Sequence, residues 1–258
     1  MWWVILLVII YIFLVAPSRE KRQLKQTKYA HRGFHSEDTN VKENSLEAFR
    51  LAVENGYGIE LDVQLSKDRQ VVVYHDNSLF RLEKDKRLVS DCTLEELREF
   101  QIPLLTEVFE LVDGKVDLVI ELKSGSLNRV NSFCQTVYAL LKEYQGSYCI
   151  ESFNPLIVAW FKKYAPEVTR GQLVAHVKEY PVLWQGVLLN TMFYQAWSRP
   201  HFIAVDVASA RWNIPLQINK WLGAKFVLWT VRSQDEAKRK NIEAIIFEFF
   251  EPDCVSRG

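Results

Sequence analysis

Short apolar segments alternate with longer amphipathic ones from Lys28 almost to the end of the chain, and this alternation restricts the fold more than any other feature. Nine of the apolar segments have the length of a strand, and helical periodicity marks most of the segments between them. Buried strands rich in Val, Ile and Leu that alternate with helices predict a parallel sheet covered by helices. In 258 residues, about eight such units predict an α/β protein with a (β/α)8 TIM barrel. The predicted strands are residues 28–31, 57–63, 70–75, 116–122, 147–153, 170–175, 201–207, 225–231 and 243–247.

One of the nine predicted strands is in excess of a barrel. The segments 57–65 and 70–75 are joined only by residues 66–69, which is too short for a crossover helix. The sequence therefore predicts a hairpin at the barrel mouth, with 70–75 as the extra strand.

The helical segments are recognised by periodicity and by their end signals. Residues 44–54 end at Asn55-Gly56, a typical C-cap, and Thr93 with Glu96 predicts a capping box at the start of 93–100. The segment 180–201 is apolar without a clear period, and either a loop and helix on the barrel wall or an apolar lip facing lipid fits it. The other predicted helices are residues 104–112, 127–144, 155–164 and 234–241.

The N-terminal segment differs from the rest of the chain. Residues 2–16 carry no charge, and a mostly basic run with Arg19, Arg22 and Lys25 follows them. We predict a membrane-anchor helix over 1–17, a basic tether over 18–27 and a barrel domain over 28–258. The positive-inside rule then predicts a cell-membrane protein with a single N-terminal pass and a cytoplasmic barrel. The apolar run is only about 22 Å long against a hydrocarbon core of about 30 Å, so a shallow insertion, or a core helix of the barrel, is the alternative.

The overall composition excludes some partners. Lys and Arg total 32 and Asp and Glu total 32, so no net field attracts nucleic acid, and no protein partner is indicated. The four cysteines form no CxxC pair, which favours reduced packing residues over a disulfide framework or a zinc site.

Three carboxylates are placed as ligands of a metal ion. Glu60 and Asp62 are two residues apart in a strand, so their side chains point to the same face. Glu121 follows the apolar run 116–120 and is placed to reach the same space from another strand. Carboxylate oxygens suit a hard divalent cation, Mg2+ or Ca2+, and not Zn2+. Any one of them alone is better explained as a barrel-rim charge, but three at strand ends favour a site.

Two histidines and two cations accompany these carboxylates. His31 and His75 each end a predicted strand, on the face where barrel active sites form, and a histidine can take or give a proton near neutral pH. Arg32 and Lys123 are suited to neutralising phosphate oxygens. Asp76 either orients His75 or caps the turn, while the other three histidines are predicted to be surface or structural residues.

These segments together resemble the glycerophosphodiester phosphodiesterase family, over residues 27–258 and most strongly in the N-terminal half. The combination is specific, whereas each segment alone is a weak signal. The matching segments are His31-Arg-Gly33, Glu43-Asn-Ser-Leu-Glu-Ala-Phe49, Gly58-Ile-Glu-Leu-Asp-Val63, Val71-Val-Val-Tyr-His-Asp76, Ile102-Pro-Leu-Leu105, Ile120-Glu-Leu-Lys123, Ser152-Phe153 and Trp229-Thr-Val231.

The resemblance implies a (β/α)8 barrel that uses a divalent cation to release glycerol 3-phosphate and an alcohol from a glycerophosphodiester. It implies that Glu60, Asp62 and Glu121 bind the metal and that His31 and His75 are the acid/base pair. By the same resemblance Arg32 and Lys123 bind phosphate, Glu43 and Asn44 support the site, and Trp229 lines the substrate pocket. Lysophospholipase D activity at the membrane is the alternative function, and a barrel that binds a phosphorylated headgroup without turnover is a further one.

The chain departs from the family pattern in three places. Lys42 replaces a proline before Glu43, and Arg232 replaces an asparagine after Trp-Thr-Val. The closing strand usually reads Gly-Ile-Ile-Thr-Asp, whereas here it reads Ala244-Ile-Ile-Phe-Glu248. We expect these changes to affect the identity of the substrate more than the catalytic chemistry.

Overall fold

Eight parallel strands form a closed barrel in the computed structural model, which describes residues 2–20, 22–36, 38, 40–123, 129–179, 183–209, 214–239 and 241–253. Each barrel strand pairs with a neighbour on both sides, in the order β1-β2-β4-β5-β6-β7-β8-β9, and β9 returns to β1. The predicted (β/α)8 barrel is therefore confirmed. The strands are β1 Lys28–Ala30, β2 Gly58–Leu65, β3 Val71–Val73, β4 Leu118–Leu122, β5 Tyr148–Ser152, β6 Arg170–Val174, β7 Phe202–Asp206, β8 Lys225–Val231 and β9 Ala244–Phe247.

The strand in excess of the barrel is β3, as the sequence predicts. It pairs antiparallel with β2, with Val63 opposite Val73, and it has no place in the barrel wall. The short connection of residues 66–69 turns back directly, because Ser66 N donates to Gln70 O (3.0 Å) and Arg69 N donates to Ser66 O (3.0 Å). The hairpin brings His75 back toward the carboxyl end of β2.

Helices cover the outside of the barrel, and their ends differ from the prediction where capping decides them. Helix α2 begins at Leu46 because Ser45 Oγ accepts from Ala48 N (3.1 Å) as an N-cap. The helix Ile214–Trp221 was not predicted; Pro215 in its first turn resembles a breaker, although proline is tolerated there. The predicted start of the 127–144 helix lies partly outside the described residues. The helices are α1 Trp2–Val15, α2 Leu46–Glu54, α3 Phe80–Glu83, α4 Leu94–Arg98, α5 Leu105–Val112, α6 Val130–Glu143, α7 Pro155–Tyr164, α8 Leu183–Asn190, α9 Gln195–Ser198, α10 Ile214–Trp221 and α11 Gln234–Ala237.

Helix α1 lies against the barrel with only its C-terminal part. Val15 is fully buried beside Leu216 of α10, and Tyr11 packs edge-to-face on Phe193 at 5.4 Å between ring centroids. Residues 2–10 are all exposed although none of them is polar. Within the described part of the chain, no helix is both long enough and apolar enough to cross a bilayer, so the predicted single membrane pass is not supported.

The interior of the barrel is apolar at its amino end and polar at its mouth. Val119, Cys149 and Val227 fill the interior, and each is followed two residues later by a residue that faces the mouth. Because side chains alternate along a strand, these second residues share the inward face. They are Glu121, Glu151 and Trp229. The alternation of side chains along these strands therefore places two carboxylates at the mouth end of the apolar barrel interior.

Candidate active site

Three carboxylates meet at the mouth of the barrel, as the sequence predicts. Asp62 on β2 lies directly opposite Glu121 on β4 in the parallel register, and Glu60 shares the inward face of β2. One oxygen from each of the three lies within 4.8 Å of the others, and all three residues are at most 7 % exposed. This is an all-oxygen donor set at the size of a single cation site.

The electrostatics of the three carboxylates favour a cation between them. Burial raises the pKa of Glu121 to about 7, and burial together with the charge of Asp62 raises the pKa of Glu60 well above its usual range. The pKa of Asp62 is instead held low despite burial, by Lys123, His75, Arg32 and an Asn44 hydrogen bond. Three carboxylates this close repel one another when all of them are ionised, and a divalent cation between them would favour their charged forms. The residues present therefore fit such an ion.

Lys123 and Arg32 lie among these carboxylates. Lys123 Nζ is 3.2 Å from Asp62 Oδ1 and 3.0 Å from Glu121 Oε1. Arg32 Nε is 3.6 Å from Asp62 Oδ2, and its Nη1 donates to Glu43 Oε1 (2.8 Å). The side chains of Lys123 and Arg32 thus lie between the carboxylate cluster and the open cleft.

Two backbone turns hold the first loop of the site in place. Arg32 adopts a left-handed φ of 56°, which directs its backbone N to Glu60 Oε2 (3.0 Å). Asn44 has a φ of 53°; its backbone N donates to Arg32 O (2.9 Å), while its side-chain Nδ2 donates to Asp62 Oδ2 (2.9 Å). Gly33 follows with a φ of 83°, and a Cβ there would lie 2.8 Å from Ala48 Cβ. Only glycine fits this contact without displacement.

His31 and His75 both line the cleft into which the carboxylate cluster opens. His31 Nε2 is 3.9 Å from Glu60 Oε2, and its Nδ1 is 3.0 Å from Glu248 Oε1. His75 Nδ1 is 2.5 Å from Asp76 Oδ1. Burial lowers the pKa of both histidines, although these carboxylates oppose the effect. Asp76 therefore contacts His75, which agrees with the first of its two predicted roles, the orientation of His75.

Other residues of the site were missed by sequence reasoning. Glu248 lies 217 residues from His31 in the chain, so no local pattern links them. Glu151 is buried on β5 beside Glu121, and its Oε2 has no hydrogen-bond partner in the described protein. His35 was predicted to be a surface or structural residue without a carboxylate neighbour, but its Nε2 lies 3.3 Å from Glu248 Oε1. The available signal for Glu151 was its position in the strand, two residues after Cys149 and therefore on the same face.

The carboxylates and histidines open into a cleft of about 1160 Å³. One wall is apolar, with Phe153, Leu173 and Ile246, and Trp229 packs edge-to-face on Phe153 at 5.6 Å between ring centroids. The opposite side carries the charged groups described above. The cleft therefore accepts a ligand with a charged group beside an organic portion.

A (β/α)8 barrel that joins a buried carboxylate triad, two histidines and two cations at its mouth has the construction of a metal-dependent phosphodiesterase. The family model described as "Glycerophosphoryl diester phosphodiesterase family" matches residues 31–249. The chain belongs to this family and is an enzyme of its class, a phosphoric diester hydrolase.

Known proteins of this family resemble the chain in sequence and in fold. A glycerophosphodiester phosphodiesterase from Caldanaerobacter subterraneus is 38 % identical over 167 residues, which are 58 % of this chain and 67 % of that protein. The Bacillus subtilis protein YhdW is 36 % identical over 245 residues, 88 % of this chain and 95 % of that protein. The crystal structure of a glycerophosphodiester phosphodiesterase from Thermotoga maritima superposes with a TM-score of 0.67 at 26 % identity, covering 88 % of this chain and 96 % of that one.

Proposed function

We propose that the protein hydrolyses glycerophosphodiesters to glycerol 3-phosphate and an alcohol. The observation that carries this proposal is the carboxylate triad of Glu60, Asp62 and Glu121 in a cleft that His31 and His75 also line. A phosphodiester is an anion with a leaving alcohol on one side and a nucleophile on the other, so it needs positive charge at its centre and proton transfer at both ends.

The residues divide these tasks among them. The triad would hold Mg2+ or Ca2+, which when bound polarises a phosphate oxygen. Arg32 and Lys123 bind the remaining charge of the phosphate. One of His31 and His75 removes a proton from the attacking hydroxyl, and the other gives a proton to the leaving oxygen. The attacking hydroxyl is either water or the 2-hydroxyl of the substrate's own glycerol, which would first give a cyclic phosphate.

A distant structural relative supports this choice of product. The Oleispira antarctica phosphodiesterase has the same fold, with a TM-score of 0.66 at 22 % identity over 86 % of this chain and 92 % of that one. Its structure is a complex with the product sn-glycerol-3-phosphate. We propose the same product here, because the charged side of the cleft and its apolar wall suit a phosphate attached to a small organic group.

The test is the release of glycerol 3-phosphate from glycerophosphocholine by the purified protein with Mg2+ or with Ca2+. We expect release that stops with EDTA and returns with added cation, and a loss of at least about 100-fold in kcat for His31→Ala. His176→Ala is the matched control, since His176 is exposed and lies outside the active-site cleft. Activity that resists EDTA, or His31→Ala at wild-type turnover, would contradict the proposal. Binding of glycerophosphocholine without any release would favour the headgroup-binding alternative.

Lysophospholipids are a second candidate substrate, because the exposed apolar part of α1 suits contact with lipid. Near the amino end of β7, Ser18 N donates to Pro200 O (2.9 Å), so the C-terminal end of α1 lies at the closed end of the barrel. Tyr11 lies in an apolar groove with Val177 and Ser209, which follow the carboxyl ends of β6 and β7. Residues 2–10 therefore lie on the mouth side of Tyr11.

We propose that this end of the molecule associates with a lipid bilayer, with the barrel on the cytoplasmic side. Residues 2–10 are exposed and apolar on every face of the helix, and a protein partner packed on one face would leave the others in water. Leu183, Trp184 and Ile214 extend the apolar surface beside the mouth, each at least 64 % exposed. Tryptophan suits the boundary between water and lipid.

Vesicle flotation tests this association, and the chain offers a matched pair of variants. Trp184 is at the mouth end of α8, whereas Trp221 ends α10 at the closed end of the barrel, and both are more than 60 % exposed. We expect the wild type to float with phosphatidylcholine vesicles, Trp184→Ser to float less, and Trp221→Ser to behave as the wild type. An equal loss of flotation in both variants would contradict the proposal. A protein that forms a dimer in detergent-free buffer and does not float with the vesicles would also contradict it. Choline release from lysophosphatidylcholine but not from glycerophosphocholine would select the lipid substrate.

A further inference from the structure

Glu248, directly after the last barrel strand, is buried and contacts two histidines and one largely exposed arginine. Its Oε1 lies 3.0 Å from His31 Nδ1 and 3.3 Å from His35 Nε2. Its Oε2 accepts two hydrogen bonds from Arg232, one from Nε (3.0 Å) and one from the terminal Nη2 (2.8 Å). The residue is only 7 % exposed and does not line the active-site cleft, so its contacts are with protein groups and not with substrate.

These contacts of Glu248 determine which nitrogen of His31 carries the proton. An ionised carboxylate only accepts hydrogen bonds, so His31 must present Nδ1–H to Glu248. The other nitrogen, Nε2, is then free of a proton and directed to the side of Glu60 and the carboxylate cluster. Although burial opposes ionisation, the hydrogen bonds from His31 and Arg232 and the nearby His35 hold the pKa of Glu248 well below its usual range.

The second histidine of the site has a comparable arrangement. His75 Nδ1 contacts Asp76 Oδ1, and Asp76 Oδ2 accepts from Arg81 Nε (2.6 Å). Each histidine thus contacts a carboxylate, and that carboxylate in turn contacts an arginine. Because this order occurs twice, at two different strand ends, we take the contact between Glu248 and His31 as part of the design of the site and not as an isolated surface pair.

We propose that Glu248, held by Arg232, is a positioning residue that fixes His31 in its Nδ1–H form with Nε2 directed into the site. The inference rests on the proposed catalytic role of His31. Arg232 donates both of its hydrogen bonds to Glu248 Oε2, which leaves Oε1 directed to His31.

The variant Glu248→Gln separates this role from simple packing. A glutamine has one accepting oxygen, and the charged Arg232 with two donors competes for it more strongly than a neutral imidazole. The amide NH2 then faces His31 Nδ1, which must accept, so the proton moves to Nε2. We expect nitrogen NMR of the full-length protein labelled at histidine, at about pH 8, to report Nδ1–H for His31 in the wild type and Nε2–H in Glu248→Gln. The variant His31→Asn assigns the signal.

Kinetics of the same variants supply the second measurement. We expect kcat of Glu248→Gln to fall by about 10- to 100-fold with KM nearly unchanged, because Glu248 acts through His31 and not on the substrate. Glu248→Asp keeps the charge and should recover the Nδ1–H signal and part of kcat. Arg232→Gln, which leaves Glu248 in place without its clamp, should give a smaller loss and serves if Glu248→Gln does not fold.

The control is Glu243→Gln, at the other end of the same two strands. Glu243 precedes β9, is 6 % exposed and pairs with Lys225 Nζ at 2.8 Å, so the change matches Glu248→Gln in type and burial. It should leave the His31 signal and kcat unchanged. A His31 signal that stays Nδ1–H in Glu248→Gln would overturn the proposal. A changed signal with unchanged kcat would support the positioning and contradict the catalytic role of His31.

Discussion

At Asp62, burial and ion pairing act in opposite directions, and ion pairing prevails. The carboxylate is only 1 % exposed, yet Lys123, His75 and Arg32 keep its pKa low, while the pKa values of Glu60 and Glu121 are raised. Asp62 is therefore the member of the triad whose charged form its neighbours favour most. We expect this charge to contribute to cation binding at the triad.

The variant Asp62→Asn tests this role. The amide keeps the size of the side chain but removes its charge, and it leaves Lys123 with one carboxylate partner in place of two. We expect calorimetric binding of Mg2+ or Ca2+ to weaken and kcat to fall by at least about 100-fold. The exposed Asp113 supplies the control Asp113→Asn, which should behave as the wild type. Unchanged cation affinity in Asp62→Asn would rule out the triad as the binding site.

The sequence predicts residues of the site where local rules apply. The spacing of Glu60 and Asp62 and the strand-end positions of His31 and His75 follow from the two-residue period and from barrel geometry. Glu248 could not be found in this way, because its contact with His31 exists only when the last strand lies beside the first. Tertiary contacts of this kind have no local signal.

Among the elements, helix α2 is the one that most directly supports the site. Its N-cap, Ser45, follows Asn44, whose amide holds Asp62. We expect Ser45→Ala to lower the free energy of unfolding by about 1 kcal/mol, because Ala48 N loses its hydrogen-bond acceptor. Urea unfolding measures the change. Ser132→Ala, which changes a half-buried serine of α6 that donates to Arg129 O, should change stability less. A larger effect at Ser132 would contradict this account of the cap.

The sequence predicts elements better than it predicts their ends. The nine strands and the hairpin are confirmed, since apolar runs bounded by turns are local features. The 234–241 helix ends early, at Ala237. The segment 180–201 contains the helices α8 and α9, which agrees with its loop-and-helix alternative, but an apolar segment without a period did not predict their number or their ends. The N-terminal apolar run forms a helix, but not one of membrane-spanning length.

For the molecule as a whole, stability should depend on the protonation of His201, which was predicted to be a surface or structural residue. Its side chain is fully buried, and its Nδ1 accepts from Arg170 N (3.2 Å), so the neutral form is required. Burial and the charges of Arg170 and Arg22, opposed by Glu20, lower its pKa to about 4. In the unfolded chain a histidine has a pKa of about 6.5.

Between these two pKa values the unfolded chain binds more protons than the folded protein, so stability falls as the pH falls through this window. The contribution present above about pH 6.5 and lost near pH 4 is at most about 3 kcal/mol. We expect the free energy of urea unfolding of the wild type to fall more between about pH 7 and pH 4.5 than that of His201→Asn, whose side-chain oxygen can still accept from Arg170 N. Equal slopes in the two proteins would contradict the prediction.

The barrel closes by pairing β1, at residues 28–30, with β9, at residues 244–247. His31 follows the first of these strands and Glu248 the last; His31 N also donates to Phe247 O (2.9 Å). During synthesis, therefore, the catalytic centre cannot be complete until β9 has been made and has paired with β1. Full enzymatic activity should then report closure of the barrel, because a chain without β9 would lack the contact between His31 and Glu248.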